Sequence, residues 1–293
     1  MDHKTLIASI PPETRAALTK RSDRAGLQHL AGYLAAMAAT SALILATPLW
    51  WLALPLHGVL LVFLFTLEHE CTHRTPFASD RLSDWMGRAC GLVLILPFEW
   101  FRYFHLAHHR WTNLPGQDPE LDGDKPATFG AWVWHVSGLP YWIAAIRLVV
   151  RLALGRERAR YLPEGALPRM QREAQAMLVF YALVAGSLAL SDAALWLWLL
   201  PVLIGQPFLR LYLLAEHGDA PKVANMLENS RTTFTTRIMR FLAWNMPYHA
   251  EHHSYPQVPF HQLPALHGVM RDHLATTAQG YAAFTHAYLA RRR

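Results

Sequence analysis

Charge is distributed so unevenly along this chain that its uncharged stretches outline the architecture. From Ala25 to Leu67 there is no Asp, Glu, Lys or Arg, about twice the ~20 residues that one bilayer crossing needs. The stretch therefore reads as two helices. Pro48 supplies the turn, and Trp50 and Trp51 supply interfacial aromatics beside it, placing the spans at about 26–46 and 49–68. A second pair follows: Ala174 to Leu190 is apolar, Ser191-Asp192 breaks it, and Ala193 to Ala215 is interrupted only by Arg210. These give spans at about 174–190 and 193–215.

Two further apolar segments behave differently. Ala89 to Phe98, bounded by Arg88 and Glu99, is too short to cross and reads as an interfacial or re-entrant helix at about 89–98. Pro126 to Ile146 is long enough but contains His135, Gly138 and Pro140; an odd number of spans would also separate histidine clusters that belong together, so the region of about 126–150 is expected to lie in the interface. Residues 1–24 form a basic polar lead-in with no apolar core and small-residue cleavage site, so no cleaved signal peptide is expected. The tail over 216–293 is polar, rich in Pro and His, and reads as a cytoplasmic cap. The fold class is thus all-α: an integral membrane domain over 25–293 with four transmembrane helices in two hairpins, interfacial helices and a helical cap.

Composition agrees, with 53% hydrophobic and 16% charged residues among 293, too apolar for an ordinary soluble domain. The net charge of +6 could point to nucleic acid, but the basic residues are scattered among loops. The turns near Pro48 and Asp192 carry no Lys or Arg, whereas the lead-in, the 74–173 region and the tail carry nearly all of them. That bias places both termini in the cytoplasm. Cys71 and Cys90 are the only cysteines, which excludes a disulfide framework and an intrinsic iron–sulfur cluster.

Three histidine clusters carry the chemistry: His69-Glu-Cys-Thr-His73, His105-Leu-Ala-His108-His109 and His249-Ala-Glu-His252-His253. On a helix, positions i, i+3 and i+4 fall within about 60° of one another, so each cluster presents its imidazoles on one face. Eight imidazoles from three distant segments point to a metal site with more than one ion. The first cluster alone matches H-E-x-x-H, but a zinc protease gives no reason for the other two. A metal transporter would need polar ligands at mid-membrane, where these spans have no Asp or Glu.

With all three clusters together the sequence resembles the membrane fatty acid desaturase and hydroxylase superfamily, marked by three cytoplasmic histidine boxes. His69 and His73 stand for the first box, His105, His108 and His109 for the second, His249, His252 and His253 for the third. The resemblance covers about 26–265 and includes Pro97-Phe-Glu-Trp-Phe-Arg-Tyr-Phe and His108-His-Arg-Trp-Thr followed by Asp118-Pro-Glu120. It implies a diiron site with O2 as co-substrate. In acyl-CoA desaturases of the family a further histidine ligand ends the last span, four residues after an asparagine; here Leu213 occupies that earlier position. The local Ala215-Glu216-His217-Gly218 resembles the Glu-His pair of the alkane hydroxylase branch, so His217 is expected as a ninth ligand while an acyl-CoA substrate is not carried over.

Glu70, Asn245, Glu251, Asp118 and Glu120 are candidates for orienting imidazole N–H groups. Arg210, two turns before His217, is a candidate for the substrate headgroup. The expected function is an O2-dependent desaturase of a fatty acyl chain or lipid, with a hydroxylase of a lipid, alkane, carotenoid or amino-acid lipid as the alternative. Having neither a His-Pro-Gly-Gly haem box nor a cysteine cluster, it is expected to take electrons from an external, ferredoxin-like donor on the Arg147–Arg172 face.

Overall fold

The structure, a computed structural model, describes residues 1–123 and 125–292. Two short helices, α1 (His3–Ser9) and α2 (Pro12–Leu18), lead into α3 (Asp23–Ala46) and α4 (Trp50–His73). Helix α5 (Asp80–Leu94) and α6 (Phe98–Trp111) follow, then the pair α7 (Phe129–Val136) and α8 (Leu139–Ala153), then α9 (Leu167–Ser187). A π-helical turn, Leu195–Leu199, runs into α10 (Leu200–His217). The remainder consists of α11 (Met226–Asn229), α12 (Arg237–Leu242), α13 (His249–Ser254), α14 (Leu263–Met270) and α15 (Tyr281–Ala290), tied by two parallel two-residue strands, β1 (Thr232–Thr233) and β2 (Thr277–Ala278). Ser22, Ser79 and Thr128 cap α3, α5 and α7 by accepting from backbone N–H groups two residues inside each helix, as expected of hydroxyl residues at that position.

Helix α4 is the axis around which the others pack. Most of its residues from Leu60 onward are buried, and it contacts α3, α5, α6 and α10. Its crossing with α10 depends on two glycines: a Cβ on Gly58 would stand 2.2 Å from the Pro201 carbonyl, and one on Gly205 would stand 2.3 Å from the Gly58 carbonyl. Small residues are what allow helix backbones to approach this closely in a membrane. Tyr33 donates to the Leu60 carbonyl at 2.7 Å, and the His57 ring bridges Thr40 Oγ1 at 2.7 Å and the Leu197 carbonyl at 3.0 Å. These bonds join α3, α4 and the π turn in an otherwise apolar layer.

Among the described residues, three helices are long and apolar enough to cross a membrane: the α3 region, α4, and Leu195–His217. The bent pair α7–α8 makes a fourth if its halves count as one. The segment expected to cross at 174–190 belongs instead to α9, whose first turns carry Arg169, Arg172 and Glu173. Its uncharged part is shorter than the ~20 residues of a full crossing. The short segment at 89–98 is not a separate element. It is the end of α5, a left-handed turn at Ile95 (φ 57°) and the first residue of α6. Hydropathy missed the helix because α5 starts polar, at Asp80. The 126–150 region is two helices bent by 55°, with Gly138 at φ 75° between them, a conformation glycine adopts without strain.

Candidate metal centre

Each cluster sits near a helix end that converges on one point. His69 and His73 occupy the last turns of α4, His105, His108 and His109 the end of α6, and His217 the last residue of α10. The third cluster is α13 itself, a six-residue helix launched from left-handed Trp244 and Asn245. The ends of α4, α5 and α6 are held together by an ionic lattice in which Asp84 accepts from Arg74 at 2.9 Å and also from Arg102.

The imidazoles fall into two groups. One nitrogen each of His69, His73, His105, His109 and His252 lies within 4.8 Å of the others, and the same holds for His108, His217 and His253. His249 joins the second group, its Nε2 standing 2.9 Å from Nε2 of His217. All nine expected histidines are therefore in one place. The groups meet where the His109 and His253 rings stack with centroids 4.0 Å apart.

Ring nitrogens face each other across both groups: His73 and His105 Nε2 at 2.9 Å, His108 and His217 Nε2 at 3.2 Å. Both nitrogens of His69, His109 and His252, and Nε2 of His253, are buried without any hydrogen-bond partner. Orphaned buried nitrogens are costly in a folded protein; convergent ones are what a metal ion satisfies. Burial pulls His105, His109, His249, His252 and His253 well below the usual 6.5, leaving them neutral near pH 7, the form that ligates metal. The donor set fits the two iron ions of the desaturase resemblance, although imidazole also suits copper, zinc and nickel.

Partners of the outward nitrogens are unevenly placed. Asp118 Oδ1 lies 2.9 Å from His108 Nδ1, and Glu120 Oε2 lies 3.7 Å from it. Burial pushes the His108 ring down, but the Glu120 and Asp118 charges outweigh it and leave its pKa raised. Glu70 Oε1 is 3.7 Å from His252 Nδ1, while its Oε2 accepts from Thr75 Oγ1 and Phe260 N–H, each at 3.0 Å. Two of the sequence candidates point elsewhere. Asn245 donates to the Phe260 carbonyl at 3.0 Å because the left-handed turn aims it away from α13. Glu251 binds Thr232 Oγ1 and His267 Nδ1, each at 2.5 Å, and His267 lies outside the boxes.

Three partners escaped sequence reading. Glu216 Oε1 stands 3.4 Å from His249 Nδ1, Thr112 Oγ1 stands 3.1 Å from His253 Nδ1, and the Asn229 carbonyl stands 3.1 Å from His217 Nδ1. Glu216 and Thr112 at least sit beside box residues. Asn229 has no sequence signal.

Beside the histidines is a cavity of about 550 Å³. His69, His105, His108, His217 and His249 reach one part of its wall; Phe65, Leu96, Trp100, Phe101, Phe104 and Leu148 supply apolar wall, and Tyr141 and Arg210 supply polar wall. The arrangement can hold a long apolar molecule against the imidazoles.

Comparison with known proteins gives relatives named as lipid desaturases. The chain is 28% identical over 192 residues to the sn-1 oleoyl-lipid 12-desaturase of Picosynechococcus sp., covering 59% of this chain and 53% of that protein. It is 25% identical over 141 residues to the sn-1 acyl-lipid omega-3 desaturase (ferredoxin) of Synechocystis sp., covering 47% and 38%. It is 25% identical over 211 residues to the sphingolipid delta(4)-desaturase/C4-monooxygenase DES2 of Mus musculus, covering 70% and 60%. The chain therefore spans less than two thirds of the length of each of these relatives. The fatty acid desaturase family model matches residues 45–285 and takes in all three histidine clusters, and the chain belongs to that family.

Proposed function

We propose that the protein is a membrane oxidoreductase that desaturates a fatty acyl chain or lipid, using two iron ions and O2. The observation that carries this reading is the pair of buried imidazole groups opening on a largely apolar cavity. His69, His73, His105, His109 and His252 would hold one ion; His108, His217, His249 and His253 would hold the other. When bound, such a centre activates dioxygen to remove hydrogen from an unactivated C–H bond, chemistry beyond any side chain. The chain's own residues do the rest. Asp118, Glu120, Glu216 and Glu70 orient the imidazoles through their second nitrogens. Phe65, Phe101 and Phe104 exclude water from the wall along which the substrate lies.

In this reading the basic residues face the cytoplasm, with both termini and the site on that side. The second hairpin of the four-span topology is completed by the 21-residue α9, its charged first turns seated at the cytoplasmic surface and its uncharged part within the membrane. Electrons come from outside the chain. Arg147, Arg151, Arg156, Arg158, Arg160, Arg169 and Arg172 are all exposed on one stretch, a surface suited to an acidic carrier. The ferredoxin in the name of one relative supports that class of donor. Hydroxylation is the second reading, supported by the paired desaturase and monooxygenase activities named for another.

The deciding experiment couples metal counting on detergent-purified protein with lipid mass spectrometry of cells expressing wild type and His252→Ala. Roughly two irons per chain and a product lighter by two hydrogens, absent from the variant, is the expected result. A product heavier by one oxygen selects hydroxylation. An unchanged lipid profile with a single zinc overturns both.

A further inference from the structure

Arg210 is the one arginine within the apolar run that ends at His217, and it lines the same cavity as the histidines. Its guanidinium lies 4.6 Å over the Tyr141 ring. Tyr141 is fixed in turn, because its hydroxyl donates to the Leu94 carbonyl at 2.8 Å. The stacking occupies one face of the cation: among the described residues no carboxylate forms an ion pair with Arg210, Glu120 and Glu216 lining the same cavity without reaching it, and its Nε is buried without a partner. One turn earlier on the same helical face, Gln206 is fully buried with neither amide atom hydrogen-bonded. Charge at membrane depth is costly and is kept where something pairs with it. A cavity made only for a hydrocarbon would gain nothing from an arginine in its wall.

We propose that Arg210, stacked on Tyr141, binds an anionic oxygen group of the substrate, a carboxylate or a phosphate, and so selects amphiphiles over plain hydrocarbons. The planar guanidinium fork matches both oxyanions in a bidentate fashion. Arg210 precedes His217 by seven residues, about 10 Å along the helix. A head anchored there presents to the imidazoles a carbon well inside the chain, not one beside the head. The inference rests on the desaturase reading for its reaction, but not for its binding step.

The test is therefore equilibrium binding to metal-stripped protein in neutral detergent, with three radiolabelled probes of equal chain length: hexadecanoate, hexadecyl phosphate and hexadecanol. Wild type is expected to bind at least one anion about 10- to 100-fold more tightly than the alcohol, the range of a charged hydrogen-bonded contact. Arg210→Gln should erase that preference while keeping affinity for the alcohol, and Arg210→Lys should restore only part of it. Preference for hexadecanoate identifies a free fatty acid as the source of the anion; preference for the phosphate identifies a phospholipid head. Equal binding of all three probes to wild type overturns the proposal without any variant having to fold. Persistence of the anion preference in Arg210→Gln overturns it as well. Because no turnover is read, failure of desaturation in the metal-loaded protein is a separate result.

Discussion

The two imidazole groups share the second and third clusters, while the first cluster serves only one of them and His217 only the other, and they are supported in different ways. In the group of His69, His73, His105, His109 and His252, the nearest carboxylate oxygen to an outward nitrogen is that of Glu70, 3.7 Å from His252. The rings of His69 and His109 are positioned by packing alone. In the group of His108, His217, His249 and His253, Asp118, Glu216, the Asn229 carbonyl and Thr112 each approach a different ring's Nδ1 at between 2.9 and 3.4 Å. Such partners fix the tautomer and raise ligand basicity. One half of the site is thus oriented by rigid helix ends and the other by a web of polar contacts.

The largest effect is expected where the halves touch. His109→Ala and His253→Ala each remove one ring of the stacked pair, and each should abolish product formation. Metal analysis should show a fall from about two ions per chain toward about one. Retention of both ions with full turnover would mean that the stacked rings are not ligands. Next comes Gly58→Leu, which drives a side chain into the Pro201 carbonyl and parts the α4 histidines from His217. It should disturb both groups alike and cost at least about 1–3 kcal/mol of stability, read as a lower unfolding temperature in detergent together with loss of both metals.

A sharper separation comes from the polar partners. Asp118→Asn should weaken metal affinity of the second group about 10- to 100-fold, whereas Glu70→Gln should have a smaller effect, because the Glu70–His252 approach is long and its other oxygen serves Thr75 and Phe260. Competition with a graded chelator measures both. Equal losses would show that the two groups do not differ in support.

The same contrast explains what was legible in the sequence. The box histidines were readable because their spacing is a property of one helix turn, and the long apolar runs around Pro48 were readable because a bilayer imposes a length. Glu216 and Asn229 were not, because each reaches its histidine, or sets its carbonyl against one, only after separate segments fold together. Asn245 shows the reverse: nearness to His249 in sequence says nothing once a left-handed turn directs the side chain to Phe260. The bend at Gly138 and the polar start of α5 at Asp80 are likewise settled by packing against α4 and α10, to which hydropathy is blind.

The smallest effect concerns pH in the chelated protein. Burial lowers His105, His109 and His252 in the first group and His249 and His253 in the second, each from 6.5. A histidine whose pKa is lower folded than unfolded binds more protons when unfolded, so its contribution is fully present above 6.5 and is lost as pH falls from there toward the folded value. His108, raised by its carboxylates against the pull of burial, acts oppositely: its contribution is present below 6.5 and disappears as pH rises through its folded value. The lowered rings outnumber the raised one, so the metal-free protein should melt a few degrees lower at about pH 5.5 than at about pH 7.5. Asp118→Asn should steepen that decline, because it removes the hydrogen-bonded carboxylate that offsets it from the second group. A flat profile in both proteins would show that the buried rings do not titrate with unfolding, and the difference between the two groups would then be one of orientation alone.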